Sequence, residues 1–388
     1  MSKPKKFSLF PAYCDKAIII STLCLVIFGS FMIMSAEMGE LAGETSVIAR
    51  SAFRQIVFFL IGLIAMIICS RIRLINLKMS AIWTGYYVLI GLLLSTRLFG
   101  SINGAYAWIR FGQFTIQPSE FAKVYIMILG GKLLGPNNPQ KNKENFLKFL
   151  TASCVYAGII FGYQHDLGSA VVLAGIAFVI MLVPPYKELN NYHFRMIIFM
   201  IVVFAVLGFL LTPLGSKFLE QFSSYYQVGR FLASYNPFNY QYDSGYHVIM
   251  GLVSFATGGL FGLGYGQSIH KYMNFPNPST DFILPVIVEE TGIIGFLVIL
   301  VGYGFILIPL IKYALAVNYV SSKMILLGTF TYLAIHFVLN VGGVSGLVPL
   351  TGVPLLLISS GGSSLIATMC ALGLSECEIA NYRKVLKE

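Results

Sequence analysis

The chain has 388 residues, 57% of them hydrophobic and only 11% charged, with a mean hydropathy of +0.78. Soluble domains carry a charged fraction of about a quarter, so this composition excludes a soluble protein and requires a polytopic membrane protein. The formal net charge of +10 matches loops that face anionic lipid headgroups and gives no reason to expect a nucleic-acid partner.

A span takes about 20 apolar residues. Ten runs of that kind lie near 17–36, 53–70, 80–99, 119–134, 147–163, 167–183, 194–213, 282–311, 324–341 and 351–374. The expected fold is all-α: one transmembrane domain over 1–388, with ten transmembrane helices and a large extracellular loop, 212–281, between spans seven and eight. The basic start Met-Ser-Lys-Pro-Lys-Lys precedes a run as long as a full span without a small-residue cleavage site, which predicts an uncleaved anchor.

Orientation follows from the basic residues, because cytoplasmic loops retain Lys and Arg. With the N-terminus inside, 18 of the 26 fall on the inner side, from Lys3, Lys5 and Lys6 to Arg383, Lys384 and Lys387. Both termini are then cytoplasmic. Arg50, Arg54, Arg97, Arg110, Lys123, Lys217, Arg230 and Lys271 remain on the outer loops and adjoining span ends. The cysteines 14, 24, 69, 154, 370 and 377 fall in spans or inside and show no CxxC spacing, so neither a disulfide nor a zinc site is implied.

Polar groups inside spans are expensive and therefore informative. In QPSEFAK, Glu120 and Lys123 can meet on one helix face, and Ser119 is placed to cap that helix behind Pro118. Two readings stand open, a self-neutralising pair that holds the bundle and a pair lining a cavity that Arg110 joins from outside. Asp166 in QHDLGS sits where helix capping suffices. Within the long loop, FLEQFSSYYQVGRFLASYNPFNY interleaves aromatic residues with Lys217, Glu220 and Arg230, as expected of a helix anchored in the interface.

The five glycines between Gly258 and Gly266 have no βαβ setting, so tight turns and close backbone approach explain them better than a dinucleotide. Asp281 then opens an apolar run and is the only aspartate after Asp243. From position alone it is a helix cap. Glu289 and Glu290 lie about 12 to 14 Å deeper along a continuous helix and cannot share one reacting atom with it. His336 and Asn340 share a helix face, which predicts an interhelical hydrogen bond. Gly361, Gly362, Ser363 and Ser364 permit close helix contact or a broken helix lining a cavity.

Taken in order, WIRFGQFTIQPSEFAK, QHDLGSAVV, NPFNYQYDSGYHVI, the segment from Gly258 to Gly295, and NVGGVSGLVPLTGVPLLLISSGGSS resemble the SEDS family of FtsW, RodA and SpoVE proteins. The GLGYGQS turn is more similar to the FtsW branch. The resemblance implies a peptidoglycan glycosyltransferase that polymerises lipid II at the outer face of the cytoplasmic membrane during division or elongation. It also implies a class B penicillin-binding transpeptidase as partner, with other divisome or elongasome proteins.

By the same resemblance Asp281 is the catalytic general base. It also places Glu120 and Lys123 in the family's central cavity with Arg110 at its entrance, and from the residues themselves Lys271, Asp166, Ser363 and Ser364 are further expected substrate-binding residues. Arg110, Lys123 and Lys271 are the cations for an undecaprenyl diphosphate leaving group. No protein metal site is expected, and a divalent ion, Mg or Mn, held by the diphosphates themselves stays open as a cofactor. The chain departs from the family's Leu-Pro-Glu-x-His at Phe275, Pro276, Asn277, Pro278 and Ser279, and Ser360 stands where tyrosine is usual. A lipid II flippase, which would use the same buried charges, and a non-catalytic scaffold for the transpeptidase are the alternatives.

Overall fold

The computed structural model describes residues 10–40, 45–102, 104–112, 114–210, 212–222, 226–242, 244–273 and 278–388. Lys3, Lys5, Lys6, Asp243, Phe275, Pro276 and Asn277, all used in the sequence reading, lie outside the described residues.

The helices in chain order are α1 (Lys16–Glu40), α2 (Thr45–Cys69), α3 (Met79–Ser95), α4 (Pro118–Leu133), α5 (Asn142–Gly158), α6 (Leu167–Leu182) and α7 (Asn190–Leu210). They continue with α8 (Pro213–Glu220), α9 (Tyr226–Tyr235), α10 (Ser244–Gly258), α11 (Ile283–Ala316), α12 (Val320–Val344) and α13 (Gly362–Val385). Each of the ten apolar runs overlaps a helix. Among the described residues eight helices are long and apolar enough to cross a membrane: α1, α2, α3, α5, α7, α11, α12 and α13. At 16 residues each, α4 and α6 are shorter.

The all-α expectation needs one amendment. Strands β1 (Ile109–Phe111) and β2 (Phe114–Ile116) form an antiparallel hairpin with Arg110 opposite Thr115, and Gly112, at φ +59°, begins its turn. A left-handed residue in a two-residue connection matches the natural strand twist.

At the centre, α13 is the most enclosed spanning helix, whereas α7 has no buried residue. Small residues explain the tight packing of α13 on α2. A Cβ added to Gly373 would lie 2.4 Å from the Met66 carbonyl oxygen, an approach that only glycine allows.

Two of the predicted spans are broken. The run at 351–374 becomes helical only at Gly362, and residues 349–361 are irregular although their middle is deeply buried, with Leu355, Leu356, Leu357 and Ile358 all at 3% exposure or less. Two prolines, Gly352 at φ +70° and Leu357 at φ +67° prevent a helix here. Irregular backbone at membrane depth survives only where protein groups satisfy it, and α12 provides them. Asn340 Nδ2 donates to the Val353 carbonyl at 2.9 Å, and His336 Nδ1 bonds the Pro354 carbonyl at 3.1 Å. The interhelical bond expected of this pair is thus a bond to a buried loop.

The second break is in α11 at Gly292, with φ +69° and ψ −167°. The helix expected to be continuous is two segments, and the glycine-rich turn stitches them together. Leu263 and Gly264 amides donate to the Glu289 and Glu290 carbonyls, both at 2.9 Å, while the Ile293 amide donates to the Gly259 carbonyl at 3.0 Å. The glycines therefore do allow close backbone approach.

The 212–281 region holds two short helices, α8 and α9, where one interfacial helix was expected, and a third, α10, that the sequence reading did not identify. His247, Gly251 and Gly258 of α10 pack in turn against Phe282, Pro285 and Val288. Thus α10 descends beside the first segment of α11 and the glycine-rich turn brings the chain back.

Gly292 tests this junction. An alanine there meets a left-handed φ and a Cβ 2.2 Å from the Leu260 oxygen, so Gly292→Ala should lower stability by at least about 2 kcal/mol in thermal unfolding of the detergent-solubilised protein. Gly304→Ala, whose Cβ would meet nothing nearer than 4.0 Å, should change stability by less than about 0.5 kcal/mol.

Candidate active site

Asp281 does not cap α11. The N-cap position is Phe282, which makes no side-chain capping bond, and the Asp281 carboxylate accepts instead from the Thr280 hydroxyl at 2.6 Å. Asn340 holds the backbone from beneath, with Nδ2 donating to the Asp281 carbonyl at 2.9 Å as well as to Val353. One amide therefore clamps the catalytic candidate to the irregular 349–361 segment.

Gly352 of that segment passes between Asp281 and Arg230 of α9. A Cβ added at Gly352 would sit 3.6 Å from Asp281 Oδ2 and 3.9 Å from Arg230 Nη1. The guanidinium is held by a hydrogen bond to the Leu350 carbonyl at 3.0 Å. Burial pushes the Asp281 carboxyl above the ordinary aspartate range, and the Thr280 hydroxyl, its own amide and the Arg230 charge pull it partly back. A carboxylate poised this way is a stronger base than a free one.

Thr351 extends the cluster to α6. A Cβ on Gly168 would lie 2.9 Å from the Thr351 oxygen, and next to Gly168 Asp166 caps α6 through the Ser169 amide at 3.0 Å. The capping role expected of Asp166 is present, and its second oxygen accepts from Gln117 Nε2 at 3.0 Å. The Gln117 amide in turn donates to Ser363 Oγ at 2.9 Å, and Ser363 donates to the Thr115 carbonyl at 3.4 Å. Ser364 turns back to the Gly361 carbonyl at 3.1 Å. Asp166 and Ser363 are thus brought together by Gln117.

Glu120 and Lys123 form a separate, sealed network, both 1% exposed. Lys123 Nζ donates to Glu120 Oε1 at 2.7 Å and lies 3.4 Å from His336 Nε2, and Tyr332 donates to Glu120 Oε2 at 2.8 Å. Because the Pro354 carbonyl only accepts and the ammonium only donates, His336 must be neutral with its proton on Nδ1. The self-neutralising reading describes this pair as the structure holds it. Ser119 does not cap α4: Gln117 occupies the N-cap position without a side-chain capping bond, and Ser119 Oγ is buried without a hydrogen-bond partner among the described residues.

Two expected cations are placed differently from the sequence reading. Arg110 is exposed on β1, donates to the Ser101 carbonyl at 3.3 Å, and does not join Glu120 and Lys123. Lys271 is buried and neutralised by Glu290 at 2.7 Å, with Ser35 Oγ at 3.0 Å. It is therefore no free cation at the outer face. Beside it Glu289 takes His270 Nδ1 at 2.7 Å and Ser268 Oγ at 2.5 Å, so both acids clamp the returning loop to α11. Among the described residues no group of three His, Cys, Asp or Glu side chains is placed to hold a metal ion.

Residues 15–384 match the family model described as cell cycle protein, FtsW/RodA/SpoVE. The chain belongs to the FtsW/RodA/SpoVE family. It is 31% identical to stage V sporulation protein E of Bacillus subtilis over 365 residues, covering 93% of this chain and 95% of that one. To the probable peptidoglycan glycosyltransferase FtsW of Geobacter metallireducens it is 30% identical over 372 residues, covering 93% of each. Several further relatives also carry the FtsW name, in line with the GLGYGQS turn.

Among solved structures, one described as showing structural coordination of polymerization and crosslinking by a peptidoglycan synthase complex matches with TM-score 0.66 and 27% identity, covering 97% of this chain and 100% of that chain. The rod shape determining protein RodA of Thermus thermophilus shares the fold, with TM-score 0.57 and 24% identity over 94% of this chain and 96% of that one.

Sequence reasoning missed Arg230, Gly352 and Gln117. Arg230 was assigned with its neighbours to the interface, and only folding of the loop brings it to Asp281. Asn340 offers a check on the FtsW/RodA/SpoVE site. Asn340→Ala leaves two carbonyls without their donor and should cost about 1 to 3 kcal/mol in thermal unfolding.

Proposed function

We propose that the chain is an inverting peptidoglycan glycosyltransferase that polymerises lipid II at the outer face of the cytoplasmic membrane, in division or elongation. Relatives named as peptidoglycan glycosyltransferases include the probable one from Geobacter metallireducens and the RodA of Treponema pallidum, the latter 28% identical over 423 residues. The observation that carries the reading onto this chain is the Asp281 carboxylate, free of any capping role and set beside Arg230 across Gly352.

In the proposed reaction the 4-hydroxyl of one substrate's GlcNAc attacks the anomeric carbon of MurNAc on the other, and undecaprenyl diphosphate departs. Asp281 takes the hydroxyl proton as general base. The Thr280 hydroxyl, the Asp281 amide and the Arg230 charge favour the ionised carboxylate against the effect of burial, and Asn340 fixes its backbone. Developing charge on the diphosphate requires cations aimed at it, and Arg110 is an exposed one, opposite Thr115 in the hairpin whose Thr115 carbonyl accepts from Ser363. Glu120, Lys123 and Lys271 support the site by holding the helices and the returning loop. The preponderance of basic residues on one side supports cytoplasmic termini. A class B penicillin-binding transpeptidase is the proposed partner, in keeping with the synthase complex that the fold matches.

Purified protein given lipid II in detergent, with and without the transpeptidase, should yield glycan strands. Asp281→Asn should reduce polymerisation at least about 100-fold while preserving expression and the gel-filtration profile. Retained polymerisation in that variant would falsify the base assignment, and a variant that loses glycan but still binds the transpeptidase argues against a scaffold alone.

The pH profile gives a second check. Only ionised Asp281 acts as a base, so activity should fall as pH drops through its pKa, which burial places above the free aspartate range of about 3.9. Arg230→Ala removes a charge that lowers that pKa, so the acid limb of kcat should move to higher pH. A limb that stays put or moves lower contradicts the arrangement.

A further inference from the structure

Outside the cluster around Asp281, a second charged feature sits at the outer end of α3. Arg97 lies in the single turn Thr96–Phe99 that follows that helix and is exposed. Its guanidinium carbon stands 4.7 Å from the centre of the Tyr163 ring and 5.2 Å from that of Tyr106. Among the described residues no carboxylate pairs with it. Arg54 by contrast meets Glu37, and Lys123 and Lys271 are neutralised in the interior.

The surroundings are built to hold this side chain. Gln164 is fully buried, and its Nε2 donates to the Leu93 carbonyl at 2.9 Å and to Thr96 Oγ1 at 3.1 Å, which ties the end of α3 to the α5–α6 turn. The Gln164 carbonyl accepts from the Tyr106 amide at 2.8 Å. His165 follows with φ +59°, a left-handed conformation rarely taken without glycine. It is exposed, with its ring 6.2 Å from Tyr106. Strain of that kind concentrates at binding sites. Arg110 bonds Ser101 in the same loop, and β1 packs against the turn that carries Arg97. Next along the chain from His165 stands Asp166, already linked through Gln117 to Ser363.

We propose that Arg97, stacked between Tyr106 and Tyr163 and joined by Arg110 and His165, binds the diphosphate of the lipid-linked substrate at the membrane surface. The assignment rests on the polymerase reading and deepens it by naming a headgroup contact. A planar guanidinium already ordered by aromatic faces loses little freedom on gripping a phosphate, and its fork matches two phosphate oxygens. Two arginines of one corner also match the double charge of a diphosphate better than that of a single phosphodiester.

The test uses the full chain in phosphatidylcholine nanodiscs titrated with undecaprenyl diphosphate, undecaprenol and phosphatidylglycerol, with binding read by native mass spectrometry. Arg97→Gln should weaken undecaprenyl diphosphate binding about tenfold, the equivalent of one lost charge-assisted hydrogen bond, and leave undecaprenol unchanged. Arg97→Lys should fall in between, and Arg110→Ala should add a further loss.

Asp281→Asn should bind the diphosphate like the parent. If the parent makes no glycan yet the Arg97 variants still lose diphosphate binding, the polymerase reading falls and this site stands. Unchanged diphosphate affinity in both Arg97 variants overturns the proposal. So does an equal loss for phosphatidylglycerol, which would mark Arg97 as a general headgroup anchor.

Discussion

The structure depends on one constraint: backbone that is not helical at membrane depth must find its hydrogen bonds inside the protein. Two stretches meet it by different means. Residues 349–361 borrow side chains, with Asn340 and His336 reaching their carbonyls. The break at Gly292 borrows backbone, since the glycine-rich turn donates to the Glu289 and Glu290 carbonyls and accepts from the Ile293 amide. The first device reaches Asp281, which Asn340 clamps to the irregular segment, whereas the second lies at the far end of the helical segment that Asp281 precedes.

Charge follows the same economy. Glu120 with Lys123, Glu290 with Lys271 and Glu289 with His270 are each closed within the protein. Such pairs are costly to break, because a lone buried charge has no solvent to turn to. They suit a scaffold that must not move while a reaction proceeds beside it. Asp281 differs in being only partly buried, with Arg230 at the far side of a glycine that leaves room between them. A neighbour with a Cβ at position 352 would fill part of that space.

Much of the site was legible from local pattern. From position Asp281 read only as a helix cap, and the family resemblance alone singled it out as the base, whereas Glu120 with Lys123 stood out because charges inside spans are rare. Asp166 was readable as a cap. The role of Lys271 was not, because nothing in its own neighbourhood announces that Glu290, 19 residues on, will reach it. Arg230 was hidden by an amphipathic stretch that reads as an interfacial anchor, and α10 by apolar residues too few to count as a span. Gln117 lay in plain view within QPSE, but its two partners, Asp166 and Ser363, come from distant helices.

By itself the sequence determined a helical membrane protein, the places of its ten apolar runs, the bias of its basic residues and the family resemblance, because hydropathy and short motifs are local properties. Tertiary structure decided where two of those runs break, which cations are neutralised, and which side chains surround Asp281. These are settled by contacts between residues far apart in the chain, since a buried polar group takes whichever partner the fold brings within reach.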